Sequence, residues 1–168
     1  TQERMTKAGY IDLKIPIIHP FAFKQLLDLD PIYDKIASGK VKASFNKEAK
    51  VFLEDPKGST GFEFLMSYLD QVEFRSTGAK SRDFAIALIK KALQNENLIR
   101  YFYVIPAGMR DIELVAKGRP TQDEINTLYA KMIGSVNTIR NNSIKESNYS
   151  QFDPYRYRVQ LIAMDIFY

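Results

Sequence analysis

Apolar positions along this chain change period several times. From Tyr10 to Ile18 they alternate loosely (Tyr10, Ile11, Leu13, Ile15, Ile17, Ile18), which predicts a strand closed by Pro20. Phe23, Leu26, Leu27 and Leu29 then recur at helical spacing until Pro31 stops the run. "VKASF" and "KVFLED", joined through "NKEA", predict two short strands in a hairpin. "GSTGFEFLMSYLDQVEF" places Phe62, Leu65, Met66 and Leu69 on one helical face. "SRDFAIALIKKALQNEN" opens on Ser81 as a candidate N-cap, with Asp83 in the first turn, and predicts an amphipathic helix. "LIRYFYVIP" is a continuous apolar run of strand length, ended by Pro106.

The last third has a different pattern. "AGMRDIELVAKGRPTQ" mixes glycine, proline and charge, and predicts a projecting loop. In "TQDEINTLYAKMIGSVNTIRNN", Thr121 stands three residues before Glu124, the spacing of a capping box. Ile125, Leu128, Met132 and Ile139 lie at the offsets of a narrow coiled-coil seam. After the polar bend "NNSIKESNYSQFDP", Val159, Ile162, Ala163 and Ile166 form a matching stripe. The pattern as a whole predicts an α+β fold. Short strands and several helices make a small mixed domain over 1–120, with a loop at 107–120. A two-helix antiparallel hairpin over 121–168 stands off that domain.

Composition narrows the chemistry. A length of 168 residues, 45% hydrophobic, suits one ordinary folded domain. The chain has no cysteine and a single histidine, His19, which removes disulfides, thiolate zinc sites, thiol catalysis and histidine metal clusters. Asp28, Asp30 and Asp34 cluster near Pro31, where capping and turns use aspartate. "DPKGSTG" lacks the Lys-Ser/Thr element of a phosphate loop and reads as a turn. His19 reads as a structural, partly buried histidine. No stretch has the length and apolarity of a membrane span, and nothing resembles a signal peptide, so a cytoplasmic location is expected. The net charge of +4 leans mildly toward polyanion partners. Arg110, Lys117 and Arg119 stand in a glycine-containing loop that can approach phosphates closely.

Two ordered blocks resemble the clamp region of the largest, beta-prime type, subunit of multisubunit DNA-dependent RNA polymerases. "ERM" followed by "GYIDLKIPIIHPFAFK" is similar to the family segment Glu-Arg-Met-Gly-His-Ile-Glu-Leu-Ala-x-Pro-x-x-His-x-x-Phe-x-Lys. Glu3, Arg4, Met5, Gly9, Ile11, Leu13, Pro16, His19 and Lys24 match in type, with "TKA" inserted between Met5 and Gly9. "VIPAGMRDIELVAKGRPTQDEINTLYAKMI" resembles the family stretch Val-Leu-Pro-Pro-x-Leu-Arg-Pro, then Gly-Arg-Phe and a helix with Asp-Leu-Asn-x-Leu-Tyr. Pro106, Arg110, Gly118, Arg119, Ile125, Asn126, Leu128 and Tyr129 keep that pattern.

The resemblance implies a non-catalytic clamp core with a lid and two clamp helices. Lys117, Gly118 and Arg119 would be lid residues near nascent RNA, and Arg110 would join them as a nucleic-acid contact. The helical pair would dock an initiation factor through Asn126, Tyr129, Lys131, Ser135 and Arg156. Implied partners are the other polymerase subunits, template DNA and nascent RNA, with no membrane. No cofactor is expected in this chain; magnesium belongs to the assembled enzyme, because the family's three-aspartate loop is not in this sequence. The zinc ribbon of the family is likewise missing from it. "GSVNTI" replaces the arginine-rich surface that meets bacterial sigma, so the expected factor is not a standard sigma. Such divergence fits a large bacteriophage with split polymerase subunits. The start at Thr1 and the apolar ending "IAMDIFY" add the expectation of a piece of a longer subunit. The alternative is a stand-alone interaction protein that captures a transcription factor as a decoy. A self-contained nuclease or transferase finds little support in the residues.

Overall fold

The computed structural model describes residues 9–104, 122–141 and 150–167. The expected lid-like loop and the bend between the last two helices fall mainly outside them. Among the described residues the fold is α+β, with two two-stranded antiparallel sheets and six α-helices. The elements are β1 (Gly9–Ile17), α1 (Pro20–Leu29), α2 (Ile32–Ala37), β2 (Ala43–Asn46), β3 (Val51–Glu54), α3 (Phe62–Leu69), α4 (Lys80–Ala92), β4 (Ile99–Val104), α5 (Gln122–Asn141) and α6 (Asp153–Phe167).

Local chemistry accounts for most boundaries. Pro20 opens α1, where its missing N–H costs nothing, and the His19 Nδ1 accepts the Phe21 N–H at 3.1 Å. Asp30 ends that helix in extended backbone, as the residue before Pro31 should, and its Oδ1 accepts the Ile32 N–H. β2 and β3 pair as the expected hairpin, Ala43 opposite Glu54 and Asn46 opposite Val51. The turn after β3 brings Ser59 back onto Ala43. α4 begins at Lys80, so Ser81 is inside its first turn rather than capping it. Asp83 instead accepts the hydroxyl of Ser76 from the segment before the helix.

Two apolar clusters share the interior. One gathers Ile18 with α1 (Phe23, Leu26), α2 (Tyr33, Ile36), the hairpin (Ala43, Phe52), α3 (Phe62, Leu65, Leu69) and α4 (Ile89). The other lies under the ribbon that β1 and β4 form: Leu13, Ile17 and Phe102 against Ile125, Tyr129, Met132 and Val136 of α5 and Val159, Ile162 and Ala163 of α6. Strand segments expected on either side of residues 18–98 thus meet in one ribbon, Tyr10 opposite Tyr103 and Ile11 opposite Phe102. Register breaks between Asp12 and Ile17, where Lys14 takes φ +67°. The Asp12 carboxylate pins this irregularity by accepting both the backbone N–H and the ammonium of Lys14.

The hairpin expected to stand off the domain needs correction. α5 turns Ile125, Tyr129, Met132 and Val136 into the ribbon's cluster, a full helical stripe rather than the narrow seam; Leu128 is only half-buried, and the Ile139 side chain lies outside the described residues. α6 is buried on two sides. Val159, Ile162 and Ala163 join the ribbon cluster, while Tyr157 and Met164 pack on the other one. A helix that closes two cores is part of the domain, not an arm.

Candidate functional site

Arg110, Lys117, Gly118 and Arg119, the expected nucleic-acid contacts, lie outside the described residues. The five expected factor contacts separate by burial. Asn126 and Lys131 are exposed on α5. Tyr129 and Ser135 are buried, as is Arg156 at 3% exposure. These three are corrected: α5 rotates Tyr129 inward against Phe102, and Arg156 is consumed by contacts within the chain. Ser135 is at the floor of an open groove of about 590 Å³ between α5 and α6, with Lys131, Gly134, Thr138, Arg158 and Asp165 around it.

Arg156 is the centre of a polar seam between α6 and the rest of the molecule. Its Nε donates to the Pro16 carbonyl and its Nη1 to the Glu63 carboxylate, both at 2.8 Å, and its guanidinium stands 4.6 Å from the Phe62 ring centre. One turn earlier, Asp153 accepts the Glu63 backbone N–H and so supplies the side-chain cap that Gly61 cannot give α3. Burial pushes the Asp153 carboxyl up, against the pull of that N–H and of Arg156, and the neighbouring Glu63 charge pushes it the same way. One turn later, the fully buried Gln160 amide grips Ile18, accepting its N–H at 2.9 Å and donating to its carbonyl at 2.8 Å. Tyr157 donates its hydroxyl to Asp34. The sequence signal for this seam was two polar residues four apart, Arg156 and Gln160, within an otherwise apolar stripe. Nothing in a single chain names their partners.

No family model, curated protein or solved structure matches the chain. Among the described residues no group of three or more His, Asp or Glu side chains is placed to hold a metal ion, and no helix is long and apolar enough to cross a membrane.

His19 has a structural place, capping α1 beside the Phe167 ring 5.5 Å away. Burial lowers its pKa, so the folded chain binds this proton more weakly than the unfolded chain does. Its contribution to stability is intact above pH ~6.5 and erodes as pH falls below that value. The single histidine makes a clean check by NMR. Its ring signals should titrate with a midpoint below 6.5 in the folded chain, and a midpoint above that value would contradict the assignment.

The outer face of the β1–β4 ribbon escaped the sequence reading. Tyr10, Tyr101 and Tyr103 stand on it at 68%, 58% and 47% exposure, beside Asp12, Lys14 and Arg100. Burial pushes the Asp12 carboxyl up, but hydrogen bonds from Lys14 and Arg100 outweigh it and hold the group down at about 2. The alternation of Tyr101 and Tyr103 with Phe102 and Val104 was the available signal, hidden within a run that looked uniformly apolar.

Proposed function

We propose that this chain is a non-catalytic part of the largest subunit of a DNA-directed RNA polymerase, divergent and of the split, large-bacteriophage kind. It would work in the cytoplasm, a host's cytoplasm if viral. Its task is to hold the upstream edge of the RNA–DNA hybrid through Arg110, Lys117, Gly118 and Arg119, and to offer the exposed side of α5 to an initiation factor other than a standard sigma. Other subunits supply the magnesium-holding loop.

One observation carries the reading. The two resembling blocks, far apart in sequence, are neighbours in space: β1 lies in the first, β4 leads into the second, and α5 of the second packs on the ribbon they make. Two unrelated chance likenesses have no reason to converge on one core. The burial of Tyr129, Ser135 and Arg156 narrows the factor contact to Asn126 and Lys131.

Affinity purification on this chain from its native source tests the assignment. A second-largest-subunit homologue and a piece carrying the three-aspartate loop should co-purify. Recovery of a lone transcription factor without polymerase subunits would favour the decoy. In the assembled enzyme, Arg119→Ala should weaken RNA displacement or complex stability while nucleotide addition continues. Loss of all synthesis with the fold intact would overturn the lid assignment.

A further inference from the structure

We propose that the groove between the end of α3 and the last turn of α4 binds a free α-amino acid with an apolar side chain. Asp70 would hold its ammonium and Lys90 its carboxylate, over a floor of Leu69, Val72, Phe74 and Leu93. The chain builds this groove from two sides. Past Leu69 the backbone leaves α3 in a tight turn, the Gln71 N–H donating to the Tyr68 carbonyl and the Val72 N–H to the Leu69 carbonyl. The Glu73 N–H then donates to the Lys50 carbonyl, and the Phe74 ring packs with its centre 6.1 Å from that of Tyr33. The last turn of α4 supplies Lys90, with Leu93 just beyond it. The space they enclose is about 420 Å³, the size of a small-ligand site. All of its lining belongs to the described stretch 9–104, and it includes none of the residues assigned above to nucleic acid or to a factor.

The make-up of the groove selects the ligand. Its floor is apolar: Leu69 and Val72 are buried, and Phe74 and Leu93 are half-buried. A polar side chain seated there would give up water without gaining a partner. The rim carries one charge of each sign. Asp70 and Lys90 come from different elements and are both exposed, and neither side chain has an ion pair or hydrogen bond among the described residues. Opposite charges that border one groove without meeting can be bridged by a ligand that carries both. A free amino acid has its two charges on either side of a single Cα, with the side chain left to enter the floor. An internal segment of a protein chain has neutral peptide groups at those places, and a simple carboxylic acid could satisfy Lys90 only. Charge complementarity therefore favours the zwitterion. Both protein charges are solvated, so binding should be weak, with a dissociation constant of about 1 mM.

The test is titration of the whole, isotope-labelled chain with L-leucine and with L-phenylalanine, followed by amide NMR. Saturable shifts should gather at residues 69–74 and 89–94. Three relatives of leucine separate the contacts: N-acetyl-leucine lacks the ammonium, leucine methyl ester lacks the carboxylate, and glycine lacks the side chain. Each should bind about threefold more weakly than leucine, or worse. Asp70→Asn and Lys90→Gln alter exposed side chains and should leave the fold intact, while each weakens leucine binding by a similar factor. Asp70→Asn should leave the affinity for N-acetyl-leucine where it was, because that ligand has no ammonium to lose; a general loosening of the groove would weaken both ligands. No saturable shift with either amino acid, or shifts confined to other parts of the chain, would overturn the proposal. So would equal binding of leucine and N-acetyl-leucine, or wild-type affinity in both charge variants. Tighter binding of N-acetyl-leucine amide than of leucine would overturn it as well, by marking the groove as a seat for a peptide's apolar anchor.

Discussion

Replacing Arg156 by alanine is expected to destabilise the chain by about 3 kcal/mol, the scale for removing one partner from a buried charged pair. Three groups lose their partner at once. The Pro16 carbonyl loses a charged donor, the Phe62 ring loses the cation above it, and Glu63 is left near Asp153 without the guanidinium that offsets both carboxylates. Glu63 is partly exposed and can rehydrate, which keeps the loss below the top of the range. Urea unfolding followed by circular dichroism measures it. Lysine at the same position should recover only part of the loss, since an ammonium cannot repeat the planar, two-directional donation of the guanidinium. A loss below about 1 kcal/mol, the net worth of an ordinary hydrogen bond, would mean that the seam is incidental to stability.

The second large effect is expected at Gly58. A Cβ built there would stand 2.1 Å from the Ala43 carbonyl oxygen and 2.5 Å from its carbon, both backbone atoms with no rotamer to escape into. The turn after β3 would have to open and release the paired hydrogen bonds between Ala43 and Ser59. Gly58→Ala should cost roughly 3 kcal/mol, at the upper end for overpacking, and the melting temperature should drop accordingly. Gly134→Ala is the comparison, because nothing lies within 4 Å of its Cβ and the residue sits inside α5. That change should stabilise by roughly 0.5–1 kcal/mol through helix propensity. Equal effects at the two glycines would remove the steric account.

Gly58 shows how much of this fold was legible. The stretch "DPKGSTG" read correctly as a turn, yet its glycine was explicable only once Ala43 lay against it. Elements defined by local period or by proline, such as the strand ending before Pro20 and the hairpin of β2 and β3, were readable for the same reason: their causes are close in sequence. The stripe of Val159, Ile162 and Ala163 was found too, but not the second face of α6, whose polar residues reveal their purpose only beside Pro16, Ile18 and Glu63. The expected docking set mixed surface and interior because a likeness to a family motif gives residue types, not rotation. Asn126 and Tyr129 are three positions apart, yet one faces out and the other is core.

The grip of Gln160 on Ile18 spans 142 positions, and its neighbours in the seam reach back almost as far. That span bears on how the chain finds its shape. The β2–β3 hairpin and the α1–α2 pair close over a few residues and should form within microseconds. Neither cluster is complete until α6 arrives, and its arrival closes a loop of 142 positions between Ile18 and Gln160. Folding should therefore wait on one late docking event, with Phe62 and Phe102 uncovered in the interval. During synthesis, everything before α6 exists for a time as a half-built interior whose missing piece is still to come.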